Sequence, residues 1–325
     1  VRPTSHDGRM RARSKVSASN PIKIGTRGSP LALWQAHEVA ARLRAALSLP
    51  EEGVVLEIIR TSGDMSQASG AALVGGKGAF TKELDEAMLE GRIDLAVHSA
   101  KDMPTAFPDE IDIIGYLPRE DVRDCLISAR FSRIEDLPQN AHVGTASLRR
   151  AALVKRIRPD IRTAVLRGNV ETRLRKSADG EVDATMLALA GLKRLGLANK
   201  AAAILPLDTF PPALGQGAVS ITARTGDKRS ADAVAAISCV DTGLALLTER
   251  AFLKKLDGSC RTPIAGYATV KDGIISFSGM YLSDDGQRSF SASAQGPASN
   301  AEALGRKAAE DILAVLPADL RTGAA

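Results

Sequence analysis

Aromatic side chains make up only 3% of this 325-residue chain, with a single tryptophan. Gripping single-stranded nucleic acid by stacking successive bases needs more than that, so the composition argues against such a surface. Cysteine is scarce too. Cys125, Cys239 and Cys260 are odd in number, far apart and without a CxxC pair, which fits free thiols in a reducing compartment rather than a disulfide framework. No apolar run reaches about 18 residues, so no segment reads as membrane-spanning. The glycine-rich Gly75-Gly-Lys77-Gly78 lacks the GxxxxGK[ST] spacing of a phosphate-binding loop, and no nucleotide is inferred from it. No metal site is expected.

With 44% hydrophobic and 25% charged residues, the composition is that of an ordinary globular protein. The length exceeds what one hydrophobic core supports and predicts two or three domains. A net charge of +5 favours an anionic partner without naming it.

The most informative stretch is Leu95-Ala-Val-His98-Ser99-Ala-Lys101-Asp102-Met-Pro104. An apolar strand over residues 93–97 runs into an imidazole, a hydroxyl, an ammonium and a carboxylate, and Pro104 blocks an early helix. In open α/β sheets, ligands sit beyond the carboxyl ends of strands, so these groups are aimed at a crevice. Asp102 is the candidate acid or base. The plain alternative is that Lys101 and Asp102 are two surface charges of a loop.

The same design recurs along the chain. A strand over 22–26 precedes Arg27-Gly-Ser29-Pro30. Ser29 suits an N-cap and Pro30 the first position of a helix over 31–47, with Leu33, Ala36, Ala40, Leu43 and Leu47 as its buried stripe. Free N–H groups there, with Arg27 beside them, suit a carboxylate or phosphate; alternatively Arg27 only decorates the turn. A strand over 54–60 leads to the loop at Gly75–Gly78, whose glycines predict mobility, and a helix over 81–90 follows.

A strand over 111–117 leads through residues 118–123 into a second domain, which opens with Cys125 in an apolar run, as core. Val143-Gly-Thr145-Ala-Ser147-Leu-Arg149-Arg150 repeats strand, polar turn, cap and helix start. Cations in a first helical turn oppose the macrodipole, so Arg149 and Arg150 predict an anion to be met. Arg167-Gly168-Asn169-Val-Glu-Thr-Arg173, after a strand over 163–166, is a third instance. Arginine clamps planar carboxylates through two parallel hydrogen bonds, so several such turns suit a ligand with many carboxylates. The other cations nearby, Lys155, Arg156, Arg158, Arg175 and Lys176, read as a solvated face.

A strand over 183–188 runs to Arg194. After Gly215-Gln216-Gly217, a strand over 219–223 is expected to pair back into the first domain. Two crossings make a hinge and put a cleft between two lobes. A helix over 230–256, interrupted near Asp241, carries Cys239 on an apolar face as core and ends at Asp257-Gly-Ser-Cys260-Arg261. Cys260 reads as an accessible thiol whose thiolate is favoured by Arg261, or as an incidental surface thiol. Strands over 264–270, 274–282 and 289–294 joined by Asp-Gly turns, then a helix over 301–316, predict a small third domain.

The expected division is therefore 1–20 as a disordered tail, 21–117 with 218–237 as the first α/β domain, 118–217 as the second, and 238–325 as an α+β domain carrying Cys260. The tail, rich in Arg and Ser, fits a bacterial start region with Met10 as an alternative initiator, or a transit peptide.

The stretches TRGSPLALWQA, GGKGAFTKEL, AVHSAKDMPT, VGTASLRR, LRGNVETRL, AGLKRLGL, GQGAV and ERAFLKKLDGSCRTPIAGYA, in this order, resemble the hydroxymethylbilane synthase (porphobilinogen deaminase) family. The resemblance covers residues 22 to about 270 nearly without gaps. It implies two periplasmic-binding-protein-like α/β lobes with a hinge, plus a small C-terminal α+β domain. It further implies a monomeric cytoplasmic transferase in tetrapyrrole and haem biosynthesis. Four porphobilinogen molecules would be joined head to tail with release of ammonia, and the linear hydroxymethylbilane would then be hydrolysed off.

A covalent dipyrromethane cofactor would be held through a thioether to Cys260, with Asp102 as the catalytic carboxylate. By the same resemblance, Ser99, Lys101, Asp102, Thr145, Ser147, Arg149, Arg150, Gly168 and Arg173 would contact the cofactor. Arg27, Ser29, Arg149, Arg167, Arg173, Arg194 and Gln216 would contact the substrate, and Lys77, Gly78 and Phe80 would belong to the lid. Each pyrrole carries two carboxylates, which agrees with the arginine-bearing turns. No metal, nucleic acid or membrane partner is implied. Leu73 stands where the family often has a lysine, and Ala79 where it usually has a larger apolar residue.

Two rival readings remain at this level. A periplasmic-type binding protein shares the two-lobe hinge, but a pure binder has no use for an accessible Cys260, and no signal peptide is expected ahead of Ile22. A nucleic-acid binder using the basic segment 144–176 would place its cations along one helix, whereas these sit at separate strand ends.

Overall fold

In the computed structural model, residues 16–64, 80–256 and 262–321 are described. Strand β1 (Ile22–Thr26) is buried at every position but Lys23 and pairs in parallel with β2 (Val54–Ile58) and β3 (Leu95–Ser99). Residues buried on both faces and joined by helical crossovers are the signature of a parallel sheet. Helices α1 (Pro30–Leu47) and α2 (Lys82–Leu89) supply those crossovers, and β4 (Ile111–Tyr116) closes the first stretch of chain.

Ser29 caps α1 by accepting the Ala32 N–H, and Pro30 is its first residue, as the sequence predicts. The buried face differs from the expected stripe. It runs through Ala32, Gln35, Ala36, Val39, Ala40 and Leu43, while Leu33 and Leu47 are only half-buried. The small alanines let the helix close on the sheet, and that turns the leucines toward its margin.

The second lobe holds β5 (Asp124–Ile127), β6 (His142–Gly144), β7 (Arg162–Ala164), β8 (Ala184–Ala188) and β9 (Ala203–Ile204) in the order β7-β6-β8-β5-β9. Strands β6, β7 and β8 are parallel, and β5 runs against β8. Helices α3 (Leu148–Ile157), α4 (Val170–Ala178) and α5 (Leu189–Arg194) follow β6, β7 and β8. The chain then returns. Strand β10 (Val219–Arg224) inserts antiparallel between β3 and β4, giving the first sheet the order β2-β1-β3-β10-β4. Both lobes therefore share one plan: a strand with a parallel neighbour on each side, and beyond one of these neighbours a strand of opposite direction supplied by a crossing segment.

The two crossings lie side by side, with the Glu120 N–H donating to the Gly217 carbonyl at 3.1 Å. Gly215 and Gly217 have φ of 76° and 84°, and a Cβ on either would overlap the backbone of Lys101 or Glu120. The Gly-Gln-Gly run is thus what lets the return strand press against the turn that follows β3.

Helices α6 (Lys228–Ala235) and α7 (Val240–Lys255) meet at a 115° bend. The break covers residues 236–239, just ahead of the expected interruption near Asp241. Cys239, expected in the core, is instead the N-cap residue of α7, half-buried, with its N–H on the Tyr116 carbonyl. The bend turns the chain at that point, so no continuous apolar face runs through Cys239. Strands β11 (Ile264–Lys271), β12 (Ile274–Leu282) and β13 (Ser289–Pro297) form an antiparallel meander packed on α7 and α8 (Ala301–Val315) around Phe252, Phe277, Ala308 and Ile312. The tip of the β12–β13 hairpin docks on α3, where Gly286 lies so close to Ala152 that a Cβ would overlap its carbonyl. Among the described residues no single helix is long and apolar enough to cross a membrane.

Candidate active site

Because β1 and β3 are adjacent and parallel, the turns after them open at the same sheet edge. Arg27, just past β1, donates from Nε to both Asp64 carboxylate oxygens at 3.1 and 3.2 Å and stacks 4.1 Å from the Phe80 ring centroid. Burial works against ionisation of Asp64, but Arg27 and the Thr61 hydroxyl outweigh it and hold the carboxyl below its usual range. Ser99, the last residue of β3, exchanges hydrogen bonds with the buried Gln35 of α1 at 2.9 and 3.4 Å. Arg27, Ser29, Gln35, Phe80, His98, Ser99 and Asp102 line one cavity of about 70 Å³. Asp102 ends a single 3₁₀ turn, Ala100–Asp102, and is exposed at the mouth.

His98 is 6% exposed and lies 3.3 Å through Nε2 from the Thr222 hydroxyl. Burial, and then the charge of Arg27, lower its pKa to about 4, so it is a neutral member of the wall.

Lys101 points the other way, into the junction of the lobes. Its Nζ donates to Gln216 Oε1 at 3.3 Å, and Gln216 Nε2 donates to Asp124 Oδ1 at 2.9 Å and to the Val122 carbonyl at 2.8 Å. Asp124, fully buried, also accepts Arg149 Nη2 and Arg150 Nη2, each at 2.7 Å. The second nitrogens of these arginines reach the Pro211 and Met186 carbonyls. The anion expected opposite Arg149 and Arg150 is thus supplied from within, by the first residue of β5. Their Nε atoms nevertheless remain buried without a partner. Gln216, expected at the substrate, is wholly buried and engaged in this bridge. Despite burial, the two guanidiniums hold Asp124 far below the usual carboxylate range. Burial and the nearby Arg150 lower Lys101 to about 8, with Asp102 and Asp124 opposing.

Thr145 and Ser147 act locally: Thr145 Oγ1 accepts the Ser147 N–H at 3.1 Å, and Ser147 caps α3 by accepting the Arg150 N–H. Arg173 is oriented by its Nε bond to the Gly168 carbonyl at 2.8 Å. Burial and Arg150 lower its pKa to about 10 against the pull of Asp102, which places it in the electrostatic reach of both. Arg167 opens the same turn, immediately before Gly168. Arg194 spans the lobes, donating to the Gly217 carbonyl at 2.6 Å and lying 5.5 Å from the Trp34 ring. Cys260, Lys77, Gly78, Leu73 and Ala79 lie outside the described residues.

The sequence pattern gave no prominence to Asp124 or to the buried Glu249 of α7. Glu249 accepts Arg119 Nη2 at 3.1 Å and the N–H groups of Gly215 and Ala268 at 2.6 and 2.7 Å, tying the third domain to both crossings. An acid opening an apolar strand, as in Asp124-Cys-Leu-Ile, and an acid on the apolar side of a helix are the two signals that point to such residues.

Comparison with known proteins bears on this geometry. The family model described as "Porphobilinogen deaminase, dipyromethane cofactor binding domain" matches residues 22–232, and the one for the C-terminal domain of the same enzyme matches 244–314. The porphobilinogen deaminases of Nitrobacter hamburgensis and Nitrobacter winogradskyi are each 53% identical over 289 residues, covering 89% of this chain and 92% of theirs. Among solved structures, the methionine-binding protein MetQ covers 69% of this chain and 90% of its own at 13% identity and a TM-score of 0.42, too distant to bear on the site. With both family domains matched in order and half the residues identical across nearly the whole length, the chain belongs to the porphobilinogen deaminase family.

Proposed function

We propose that the cleft between the lobes performs this family's transferase reaction, the stepwise joining of porphobilinogen with release of ammonia, with Asp102 as its catalytic carboxylate and Cys260 as the attachment point of the dipyrromethane cofactor. The observation that carries the reading is the charge at the lobe junction. Arg149 and Arg150 converge on the buried carboxylate of Asp124, Lys101 is linked to it through Gln216, and two guanidinium Nε atoms there lack a partner. Buried cations in excess call for more anion than the chain supplies, and a polycarboxylate meets that demand. When bound, the dipyrromethane provides the terminal pyrrole carbon to which substrate units are added.

The chain's own residues then divide the work. Lys101, Arg173 and the Arg149–Arg150 pair draw in the acidic arms of the cofactor, while Thr145 and Ser147 keep the start of α3 in place. On the opposite wall, Arg27 and the Ser29 turn at the start of α1 suit one carboxylate arm of an incoming porphobilinogen. Arg167 and Arg194 suit further arms. Asp102, at the mouth of the same cavity, is placed as a carboxylate to help deliver a proton to the departing amine and then to stabilise the cation left behind. Phe80, stacked on Arg27, closes the wall beside it, and Lys77 and Gly78, three and two residues earlier in the sequence, share the lid role in this reading.

Residues 21–117 with 218–237 form the first domain in this reading, 118–217 the second and 238–325 the third. A monomer is what the family resemblance implies, and a reducing cytoplasm is supported by the scattered cysteines. Intact mass and peptide mapping of the purified protein test the proposal. The expected result is an excess matching two condensed pyrrole units on the Cys260 peptide; a Cys260 still unmodified after incubation with porphobilinogen overturns it.

A further inference from the structure

The segment that follows Asp102 has little structure of its own. Residues 103–107 belong to no helix or strand, and among the described residues 104–107 donate no backbone hydrogen bond to another backbone group. What holds them comes from the third domain. Arg250 of α7 donates through Nη2 to the Pro104 carbonyl at 2.9 Å and the Thr105 carbonyl at 3.4 Å, and its guanidinium lies 5.1 Å from the Phe107 ring centroid. A largely desolvated arginine ordinarily takes a carboxylate partner. Among the described residues Arg250 has no salt bridge, and its donors go to a loop of the first lobe instead.

The helix that presents Arg250 makes this contact consequential. The preceding residue, Glu249, fixes α7 to Arg119 and Gly215 at the two crossings. The helix itself ends at Lys255, five positions ahead of Cys260. One rigid element therefore touches the hinge and the segment after Asp102, and the chain reaches Cys260 five residues beyond its end.

We propose that Arg250 is a positioning residue for the reaction: by gripping residues 104–107 it sets where Asp102 stands relative to units carried on Cys260. This rests on the assignment of Asp102 and Cys260 given above. Arg250 touches neither the substrate nor the cofactor in this account, so its removal leaves binding intact and misplaces the carboxylate. Misplacement of a catalytic group by about an ångström is enough to slow a reaction strongly.

The test uses the cofactor-loaded enzyme with Arg250→Met and Arg250→Lys. Lysine keeps the cation over Phe107 and one donor but loses the planar fork. The expected result is full cofactor mass on Cys260 in both variants, with KM for porphobilinogen within about two-fold of the parent. On the scale set by misplacement, kcat falls about ten-fold in Arg250→Met and less in Arg250→Lys. Limited proteolysis within residues 103–107 should become faster in step with the loss of kcat. An unchanged kcat in Arg250→Met overturns the proposal. So does a fall in kcat that follows only from lost cofactor or a lower folded fraction. Asp102→Asn measured alongside separates the two readings: if it turns over normally, the Asp102 assignment fails whatever Arg250 does.

Discussion

The two lobes solve the same local problem with different electrostatics. In each, a short inner strand ends in a polar turn, a serine caps the next helix, and arginine stands within three residues of that serine: Arg27 before Ser29 in the first lobe, Arg149 and Arg150 after Ser147 in the second. In the first lobe the arginine stays at the cavity wall and its acid partner, Asp64, is 26% exposed. In the second, both arginines turn inward onto Asp124, which is not exposed at all. The register explains the difference. Asp124 is the first residue of β5 and lies opposite Ala188 at the end of β8; the matching place in the first sheet, opposite Ser99 at the end of β3, is held by Val219. One acid in place of an apolar residue converts a rim of cations into an internal cluster.

Replacing the two acids in turn gives the sharpest test of that comparison. Asp124→Asn strips a buried carboxylate from two buried guanidiniums and should cost about 3–5 kcal/mol of stability, whereas Asp64→Asn, at a half-open site, should cost no more than about 1 kcal/mol. Urea unfolding of both variants measures the ratio; equal losses would mean that the lobes do not differ as described.

The next effect belongs to His98 in the first lobe. Its folded pKa of about 4 lies below the ordinary value of 6.5, so the unfolded chain binds the extra proton between those values. Stability from this group is complete above pH 6.5 and is lost as the pH falls toward 4, by roughly 3 kcal/mol in all. His98→Gln should flatten the unfolding free energy over that window, and an unaltered acid slope would show that the ring is not held neutral by burial.

The smallest effect concerns Lys101, which joins the lobes through Gln216. Its charge weakens as the pH rises through about 8, so affinity for an anionic substrate should decline above that pH by several-fold, and KM should carry most of the change. Lys101→Arg, which stays charged, should remove that alkaline limb; a limb that persists assigns it to another group.

Much of this arrangement was legible in the chain itself. The repeated strand, polar turn and capped helix start, each with its arginine, exposed the α/β lobes, and the return of residues 219–224 followed from a buried apolar run after Gly-Gln-Gly. The site was readable only as residue types at turns. Arg149 and Arg150 were visible as misplaced cations, but their partner Asp124 lies 25 residues earlier and meets them only through strand pairing. Glu249 escaped notice for the same reason: its partners Arg119, Gly215 and Ala268 come from three distant segments. The stripe on α1 misled because periodicity favours large apolar residues, while close helix-to-sheet packing selects small ones.

The insertion of β10 also sets an order of events during synthesis. Among the described residues β4 has β10 as its only neighbour in the first sheet, and β3 needs it to complete its far edge. Until residues 219–224 emerge, the first lobe exposes two unpaired strand edges, whereas all five strands of the second lie within residues 124–204 and can assemble as soon as they are made. A chain arrested before residue 219 therefore carries a finished second lobe and an open first one, and such an open sheet is a surface on which chaperones act and aggregation starts.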